Sequence, residues 1–307
     1  MKEKHILEKP LIRSSLALLC CFLWGSAFPC VKLGYEWLQI ENVGSQILFA
    51  GYRFFLAGVI TFCAACFFEK HMITIKKGSI VHVLGLGLLN TTIQYICFYI
   101  GMSHVSGTKG SIINAGNAFV SILLAHFLFK DEKMTWRKGI GCLIGFAGVI
   151  VINLEGVSGG VSFMGEGMVV LSTIAYGTCT VIVKPIMRNN SPMTVTAYQL
   201  IFGSTLLIAA GFASGGHIVH FDTKSILLLL YMAVLSSVAF SLWTALLKKN
   251  EAGKIAIFGV SIPIFGTLLS SLLLGETIFT IKNLVAFLCV CSGIMIVNRP
   301  KTQTISK

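Results

Sequence analysis

Polar side chains within long apolar runs are the first candidates for chemistry in this chain. Arg53 lies well inside the run 45–68, where an unpaired guanidinium would cost several kcal/mol if the run crosses a membrane. Its planar set of N–H donors could hold a substrate carboxylate or phosphate through two hydrogen bonds. Alternatively, Arg53 could be a structural residue bonded to carbonyl groups or helix ends. The sequence leaves both interpretations open.

Four amide side chains lie in two neighbouring apolar runs at helical spacing. Asn90 and Gln94 are one turn apart, as are Asn114 and Asn117, so each pair shares a face of its helix. Together the four amides could line a hydrated cavity and bind polar groups of a substrate. They could equally bond to each other between helices, as amides do in membrane bundles.

Aromatic and hydroxyl side chains provide a second group of candidates. Trp24 and Tyr176 could form the walls of a cavity and stack on a ligand, although core packing is the commoner role of a single aromatic residue. Ser26 and Thr178 could bond to a substrate or to their own helix backbones. The full set of candidate substrate-binding residues is Trp24, Ser26, Arg53, Asn90, Gln94, Asn114, Asn117, Tyr176, Thr178, Tyr198, Gln199 and Trp243.

Metal-binding and catalytic patterns are weak. The loop from His217 to Asp222 and the spacing Cys63-x-x-Cys66 contain ligand-type residues, but neither has a second pair or a rigid frame to complete a site. No cluster of acid–base or nucleophilic groups is evident. We therefore expect no metal, no cofactor and no catalytic residues.

The composition indicates what must position these side chains. Of the 307 residues, 55% are apolar and 12% charged, and the mean hydropathy is +0.84. Soluble domains have roughly 25% charged residues, and so few charges could not cover a soluble surface of this size. A soluble enzyme, a disordered chain and a small disulfide-rich secreted module are excluded. We predict an integral membrane protein.

Ten apolar windows are long enough to cross the ~30 Å hydrocarbon core of a bilayer as helices. A membrane barrel would instead show alternating segments of about ten residues, so the chain is predicted to be all-α. The windows are 14–34, 45–68, 79–101, 106–129, 136–153, 164–186, 194–214, 224–247, 254–275 and 281–298.

Basic residues predict the orientation of these spans. With the amino terminus inside the cell, the 24 Lys and Arg residues fall on the cytoplasmic side, except for Lys32, Lys109, Lys224, Lys282 and the intramembrane Arg53. Both termini are then cytoplasmic and the cell membrane is the expected location. The net charge of +12 would face anionic lipid rather than nucleic acid. The expected partners are lipid and a small-molecule substrate, and the protein would be a monomer or homodimer.

The two halves of the chain resemble each other at an offset of 152 residues. The matched pairs are Trp24 and Tyr176, Ser26 and Thr178, and Lys32 and Lys184. Each half holds five spans, an odd number, so the second half would enter the membrane with opposite polarity. Inverted repeats of this kind are typical of secondary transporters, with a binding site between the halves.

The predicted organisation has four parts: a cytoplasmic tail 1–13, a first repeat 14–155, a second repeat 160–299 and a cytoplasmic tail 300–307. We expect a carrier that moves a small metabolite by alternating access. The alternative is a membrane-embedded enzyme acting on a lipid or lipid-linked substrate, which would need clustered acid–base groups. A channel would gain nothing from the duplication.

Several short motifs in order along the chain are similar to those of a known family. They are Trp24-Gly-Ser-Ala-Phe28, Arg53-Phe54, the stretch Leu124–Thr135, and Pro263 followed by Leu272–Glu276. Together they resemble the EamA-type branch of the drug/metabolite transporter superfamily over almost the whole chain. This resemblance implies a bundle of two inverted five-helix repeats around a central cavity. It also implies transport of small amino acid-like or drug-like metabolites, most often outward.

Two positions depart from the family pattern. Span 4 often has a proline where this chain has Phe119, so unwinding there would have to use Gly116 and Asn117. Small proton-coupled relatives carry a membrane glutamate where this chain has Phe22. Glu166 is just inside span 6 and is expected to lie too near the surface for coupling. Facilitated diffusion or exchange is favoured, with His126 as the residue available for any proton coupling.

Overall fold

The computed structural model describes residues 6–128, 134–153, 162–187, 190–250, 257–277 and 280–298, together with Ile255. Within these ranges all regular structure is helical, in agreement with the prediction. Several predicted features lie outside the described residues. They are the ends of both tails, the linker between the repeats, and Lys130, Asp131, Glu132, Lys133, Arg188 and Lys254.

The α-helices are α1 Pro10–Trp37, α2 Val43–Glu69, α3 Ile80–Gly87, α4 Gln94–His104, α5 Gly107–Asn114, α6 Asn117–Leu128, α7 Trp136–Asn153, α8 Met168–Met187, α9 Pro192–Ala213, α10 Thr223–Lys249, α11 Ser261–Leu274 and α12 Ile281–Asn298. A π-helical turn at Leu88–Ile93 joins α3 to α4, and another at Phe163–Gly167 leads into α8. Short 3-10 turns lie at Ile6–Glu8, Lys77–Ser79 and Ile257–Val260.

Seven helical stretches in the described part of the chain are long and apolar enough to cross a membrane, judged by length and composition. They are Pro10–Trp37, Val43–Glu69, Lys77–His104, Gly107–Leu128, Phe163–Met187, Pro192–Ala213 and Thr223–Leu246. The helix α7 and two shorter apolar stretches, Phe258–Leu274 and Ile281–Val297, occupy the remaining predicted windows. The all-helical prediction is confirmed, whereas the count of ten spans and their symmetry stay predictions.

Helix ends follow from local side-chain chemistry. The Asn42 side chain accepts a hydrogen bond from the Ser45 N–H at 2.8 Å and begins α2. At the start of α10, Asp222 accepts from the Ser225 N–H at 2.7 Å, while the Ser225 hydroxyl accepts from the Asp222 N–H at 3.0 Å. These bonds hold the pKa of the Asp222 carboxyl below its usual value. Gly275, with a φ of 67°, ends α11 without strain.

The helices α2 and α9 pack closely along each other through glycines. A Cβ atom added at Gly51 would lie 2.7 Å from Ile208 Cγ1, and one added at Gly58 would lie 2.8 Å from Ile201 Cγ1. Gly211 does the same from α9, because a Cβ there would lie 2.7 Å from Leu48 Cγ. Glycines therefore bring the two backbones together, as in other membrane helix pairs.

The other helices surround or flank this pair. Helix α1 packs against α10 and α11, and α2 also contacts α10. Helix α8 packs against α4, α5 and α6, and α9 packs against α3 and the π turn. Helices α7 and α12 form a further close pair, in which a Cβ at Gly141 would lie 2.9 Å from the carbonyl oxygen of Gly293.

The predicted span 106–129 consists of two helices rather than one. Helix α5 ends at Asn114, the chain turns at Ala115–Gly116, and α6 begins at Asn117. The Asn117 side-chain N–H donates to the carbonyl oxygen of Asn114 at 2.6 Å, which satisfies a group that the break would otherwise leave free. The interruption lies where the sequence indicated that unwinding would have to occur.

Replacing Gly58 by alanine is expected to destabilise the protein by about 1–3 kcal/mol. The new Cβ would lie 2.9 Å from the Ile201 backbone nitrogen, so α9 would have to move. The measurement is the midpoint of thermal unfolding of the purified protein in detergent.

Gly85→Ala in α3 is the matched control, because an added Cβ there meets no atom within 4 Å. Alanine also favours the helix over glycine, so this variant should unfold at the same or a higher temperature. Equal losses from the two substitutions would contradict the close packing of α2 against α9.

Candidate functional site

Arg53 lies at the junction of α2, α4 and α10 and is 3% exposed. Its Nη1 donates to the Tyr99 hydroxyl at 3.1 Å, and its Nε and Nη2 donate to the Ser236 hydroxyl at 3.2 and 3.0 Å. The guanidinium also lies over the ring of Phe54, 4.6 Å from its centre. No acidic residue in the described part of the chain pairs with it. These contacts favour the structural interpretation of Arg53.

Hydroxyl contacts extend this junction along α10. The Thr61 hydroxyl on α2 donates to the Ser237 hydroxyl at 2.9 Å. On α1, the Ser26 hydroxyl lies 2.7 Å from the Tyr231 hydroxyl and also donates to the carbonyl oxygen of Leu23. Ser26 is thus hydrogen-bonded both within α1 and to α10. Its counterpart Thr178 donates to the Ile174 carbonyl oxygen within α8.

The predicted amides occupy the two interrupted parts of the first half. Asn90 is buried within the π turn, and Gln94 is buried one turn later. Asn114 and Asn117 are half-buried and flank the break between α5 and α6. We call these four residues the amide cluster. Both irregular segments therefore carry amides, which only the tertiary structure could reveal.

Helix α8 brings these segments together. The Gln94 Nε2 donates to the Ser172 hydroxyl at 3.1 Å. From the other side, the Ser121 hydroxyl donates to the Gly177 carbonyl oxygen at 3.1 Å, and a Cβ at Gly177 would lie 3.0 Å from the carbonyl oxygen of Asn117. The α4 segment and the break thus contact the same two turns of α8.

Helices α4 and α8 lie side by side in opposite directions. A Cβ at Gly101 would lie 2.7 Å from Val169, and Gln94 bonds to Ser172, so the two helices run antiparallel. Tyr176 lies one turn beyond Ser172 on α8 and is half-buried.

Several amide oxygens in this region have no hydrogen-bond partner among the described residues. They are Asn90 Oδ1, Gln94 Oε1, Asn114 Oδ1 and Gln199 Oε1. Such a buried oxygen costs about 1–3 kcal/mol when left unpaired. These oxygens could bind water or the N–H and O–H groups of a substrate, whereas the polar groups around Arg53 already have partners.

The predicted aromatic residues separate into two places. The ring of Trp24 contacts Phe240 and Trp243 of α10, with centres 5.6 and 5.2 Å apart, so two of the candidates meet between the halves. Tyr198 instead donates to the Ile73 carbonyl oxygen at 2.9 Å. It fixes the segment between α2 and α3.

His126 and Glu166, the two titratable residues considered for proton coupling, have different hydrogen-bond partners. His126 accepts a hydrogen bond at Nδ1 from the Met134 N–H at 2.9 Å, which favours a structural role for this histidine over proton coupling. Glu166, expected to lie near the surface, is 7% exposed and forms an ion pair with Lys109. The ion pair with Lys109 from another helix compensates the buried carboxylate, while the expected depth of Glu166 in the membrane stays a prediction.

Tyr99, Ser236 and Ser172 accept the hydrogen bonds of Arg53 and Gln94, and none of the three is predicted from the sequence. Serine and tyrosine are frequent in membrane helices, and no spacing within a helix marks those that face a distant arginine or amide. Only contacts between elements far apart in the chain identify them.

Comparison with known proteins agrees with this architecture. The model of the EamA-like transporter family matches residues 12–154 and again 163–299. An uncharacterized transporter of Archaeoglobus fulgidus is 28% identical over 93% of this chain and 98% of its own. A protein of Escherichia coli named "Probable amino-acid metabolite efflux pump" is 25% identical over 92% of this chain and 93% of its own.

A solved crystal structure superposes with a TM-score of 0.69 at 14% identity, over 92% of this chain and 95% of the other. At this identity the likeness concerns the fold alone. The two family matches span most of the sequence and confirm the resemblance of the motifs around Trp24, Arg53 and Pro263. The chain belongs to the EamA-like transporter family.

Proposed function

We propose that this member of the family is a secondary transporter for a small amino acid-like or drug-like metabolite. It would work by alternating access, most often outward across the cell membrane, through facilitated diffusion or exchange. The name of the Escherichia coli relative supports an outward direction and an amino acid-like substrate.

The amide cluster is the observation that carries this proposal. Irregular backbone at membrane depth is tolerated where it is buried in protein or borders a water-filled cavity. Here a π turn and a helix break both lie against α8, and the oxygens of Asn90, Gln94 and Asn114 in these segments have no partner among the described residues. Amides offer both donors and acceptors, which suits the polar groups of a neutral or zwitterionic metabolite.

We also propose ten spans in two inverted five-helix repeats, and the helix contacts support this symmetry. In the repeat, α1 corresponds to α8, α2 to α9, and α7 to α12. Likewise α3–α4 corresponds to α10, and α5–α6 to α11. Helix α1 packs on α10 and α11. Helix α8 likewise packs on α4, α5 and α6, which are the counterparts of α10 and α11 in the first half. The close pairs α2 with α9 and α7 with α12 each join two counterparts. Equivalent contacts made twice are what a two-fold relation between the halves requires.

Tags at the two ends of the chain are expected to react from the cytoplasmic side of intact cells. An even number of spans and the distribution of Lys and Arg both require this. The measurement compares labelling of each tag before and after the cells are made permeable. Tags on opposite faces would imply an odd number of spans and would remove the basis for inverted repeats.

Purified protein in liposomes is expected to show saturable, stereoselective uptake and counterflow of its substrate. Candidate substrates come from a thermal-shift screen of amino acids, nucleosides and cationic drugs, since a ligand at 100 times its Kd stabilises the protein by about 2.7 kcal/mol. Flux that stays linear with concentration, or single-channel currents in a planar bilayer, would contradict a carrier.

Asn114→Leu is expected to reduce transport about tenfold or more, because a buried hydrogen bond to the substrate is lost. The same substitution should leave the unfolding temperature unchanged or raise it, since Asn114 Oδ1 has no described partner. Arg53→Met should instead destabilise the protein, because it leaves the Tyr99 and Ser236 hydroxyls without their donor.

Tyr198→Phe serves as the control for this comparison. It removes only the bond to the Ile73 carbonyl oxygen and should leave the KM for transport unchanged. If Asn114→Leu transported with the KM and maximal rate of the parent protein, the amide cluster would not be the binding site.

A further inference from the structure

A carboxylate from the second half of the chain caps the first turn of α5. The Glu276 Oε1 accepts a hydrogen bond from the Gly107 N–H at 2.6 Å, and its Oε2 accepts from the Thr108 N–H at 2.8 Å. Backbone N–H groups in a first helical turn have no partner within the helix, and the positive end of the helix favours a negative charge. Glu276 therefore binds α5 to the segment that follows α11.

A second carboxylate holds the same turn of α5 from another direction. The Lys109 ammonium forms an ion pair with Glu166, and both side chains are only 9% exposed. Glu166 itself is fixed by the Ser162 N–H, which donates to Oε2 at 2.9 Å. This pair ties α5 to the π turn that leads into α8. Breaking a buried pair leaves uncompensated charges, so the contact is strong while it is closed.

Helix α5 lies directly on α11 below these contacts. A Cβ added at Gly266 would lie 2.6 Å from Ser111 Cβ, and one added at Gly107 would overlap the hydroxyl of Ser270. Ser270 is fully buried. The first half thus meets the second along α5, from its amino-terminal turn towards Asn114 and the helix break.

Glu276 also borders an open pocket of about 780 Å³. Its other lining residues include Lys32, Glu36, Glu41 and Gln46. Water in this pocket can hydrate the Glu276 carboxylate as soon as it leaves the α5 amides. The hydrogen bonds between Glu276 and α5 can therefore break and re-form, because the released carboxylate does not remain unsolvated.

We propose that Glu276 and the Lys109–Glu166 pair form a clamp that closes this end of the protein, and that release of the clamp is a step of the transport cycle. The break at Ala115–Gly116 is then the hinge about which α5 moves. Glu276 and Glu166 are positioning residues, since they act through α5, which carries Asn114. The role of the clamp in transport rests on the proposed function. The distribution of Lys and Arg residues along the sequence predicts that this end of the protein lies outside the cell.

Opening of the clamp can be measured through Ser270→Cys, because that position on α11 becomes accessible only when α5 moves away. Purified protein in detergent is treated with a water-soluble maleimide, and the rate of labelling is followed by mass spectrometry. The parent protein, labelled in parallel, gives the background from its ten native cysteines. This readout requires neither a substrate nor transport.

Glu276→Gln in the Ser270→Cys protein is expected to increase the rate of labelling about tenfold, the factor for a loss of about 1.4 kcal/mol. Glu36→Gln is the matched control, because Glu36 lines the same pocket and no hydrogen bond to α5 is described for it. This control should label like the Ser270→Cys protein. Equal rates for Glu276→Gln and Glu36→Gln would overturn the proposal.

Lys109→Met and Lys109→Arg test the ion pair without altering Glu276, and they serve if Glu276→Gln does not yield folded protein. Methionine should increase the labelling of Cys at position 270, whereas arginine keeps the charge and should restore slow labelling. Equal labelling of the two variants would contradict a clamp that depends on the pair.

Transport measured on the same variants separates the two proposals. Saturable counterflow together with unchanged labelling would overturn the clamp and leave the carrier intact. Labelling that responds to the substitutions, in a protein that shows no flux, would overturn the proposed function and limit the clamp to a conformational role.

Discussion

Polar side chains in this protein must find their partners inside the helix bundle, because hydrocarbon offers none. Arg53 shows the consequence most directly. Its guanidinium is satisfied by Tyr99 and Ser236, from two helices that are distant in sequence. Through these bonds Arg53 joins α2, α4 and α10. The arrangement of the other helices depends on junctions of this kind.

Close backbone packing makes these junctions possible. Short hydroxyl side chains such as Thr61 and Ser237 reach each other at 2.9 Å because α2 and its neighbours lie close together. Glycines at positions such as Gly58 and Gly211 remove the side chains that would keep α2 and α9 apart. Small residues therefore position the polar groups as well as filling the core.

The charged groups of Arg53 and Glu276 have hydrogen-bond partners, whereas several buried neutral polar groups have none among the described residues. Around Arg53 and at the contact of Glu276 with α5, charged groups have well-placed partners. At the π turn and the helix break, amide oxygens of Asn90 and Asn114 have none among the described residues. A protein that keeps such groups buried and unpaired gives up stability, and binding of a substrate is a physical reason for it to do so.

The sequence by itself determined the class of the protein and the approximate limits of its helices, because continuous apolar runs have one physical solution in a membrane. It also named Gly116 and Asn117 as the residues that any unwinding of the fourth span would have to use, although it did not predict that the span is interrupted. The π turn at Leu88–Ile93, the partners of Arg53 and the burial of Glu166 were decided only by the tertiary structure. Those features depend on contacts between residues far apart in the chain. The residue pattern within one helix does not predict which side chains of other helices will pack against it.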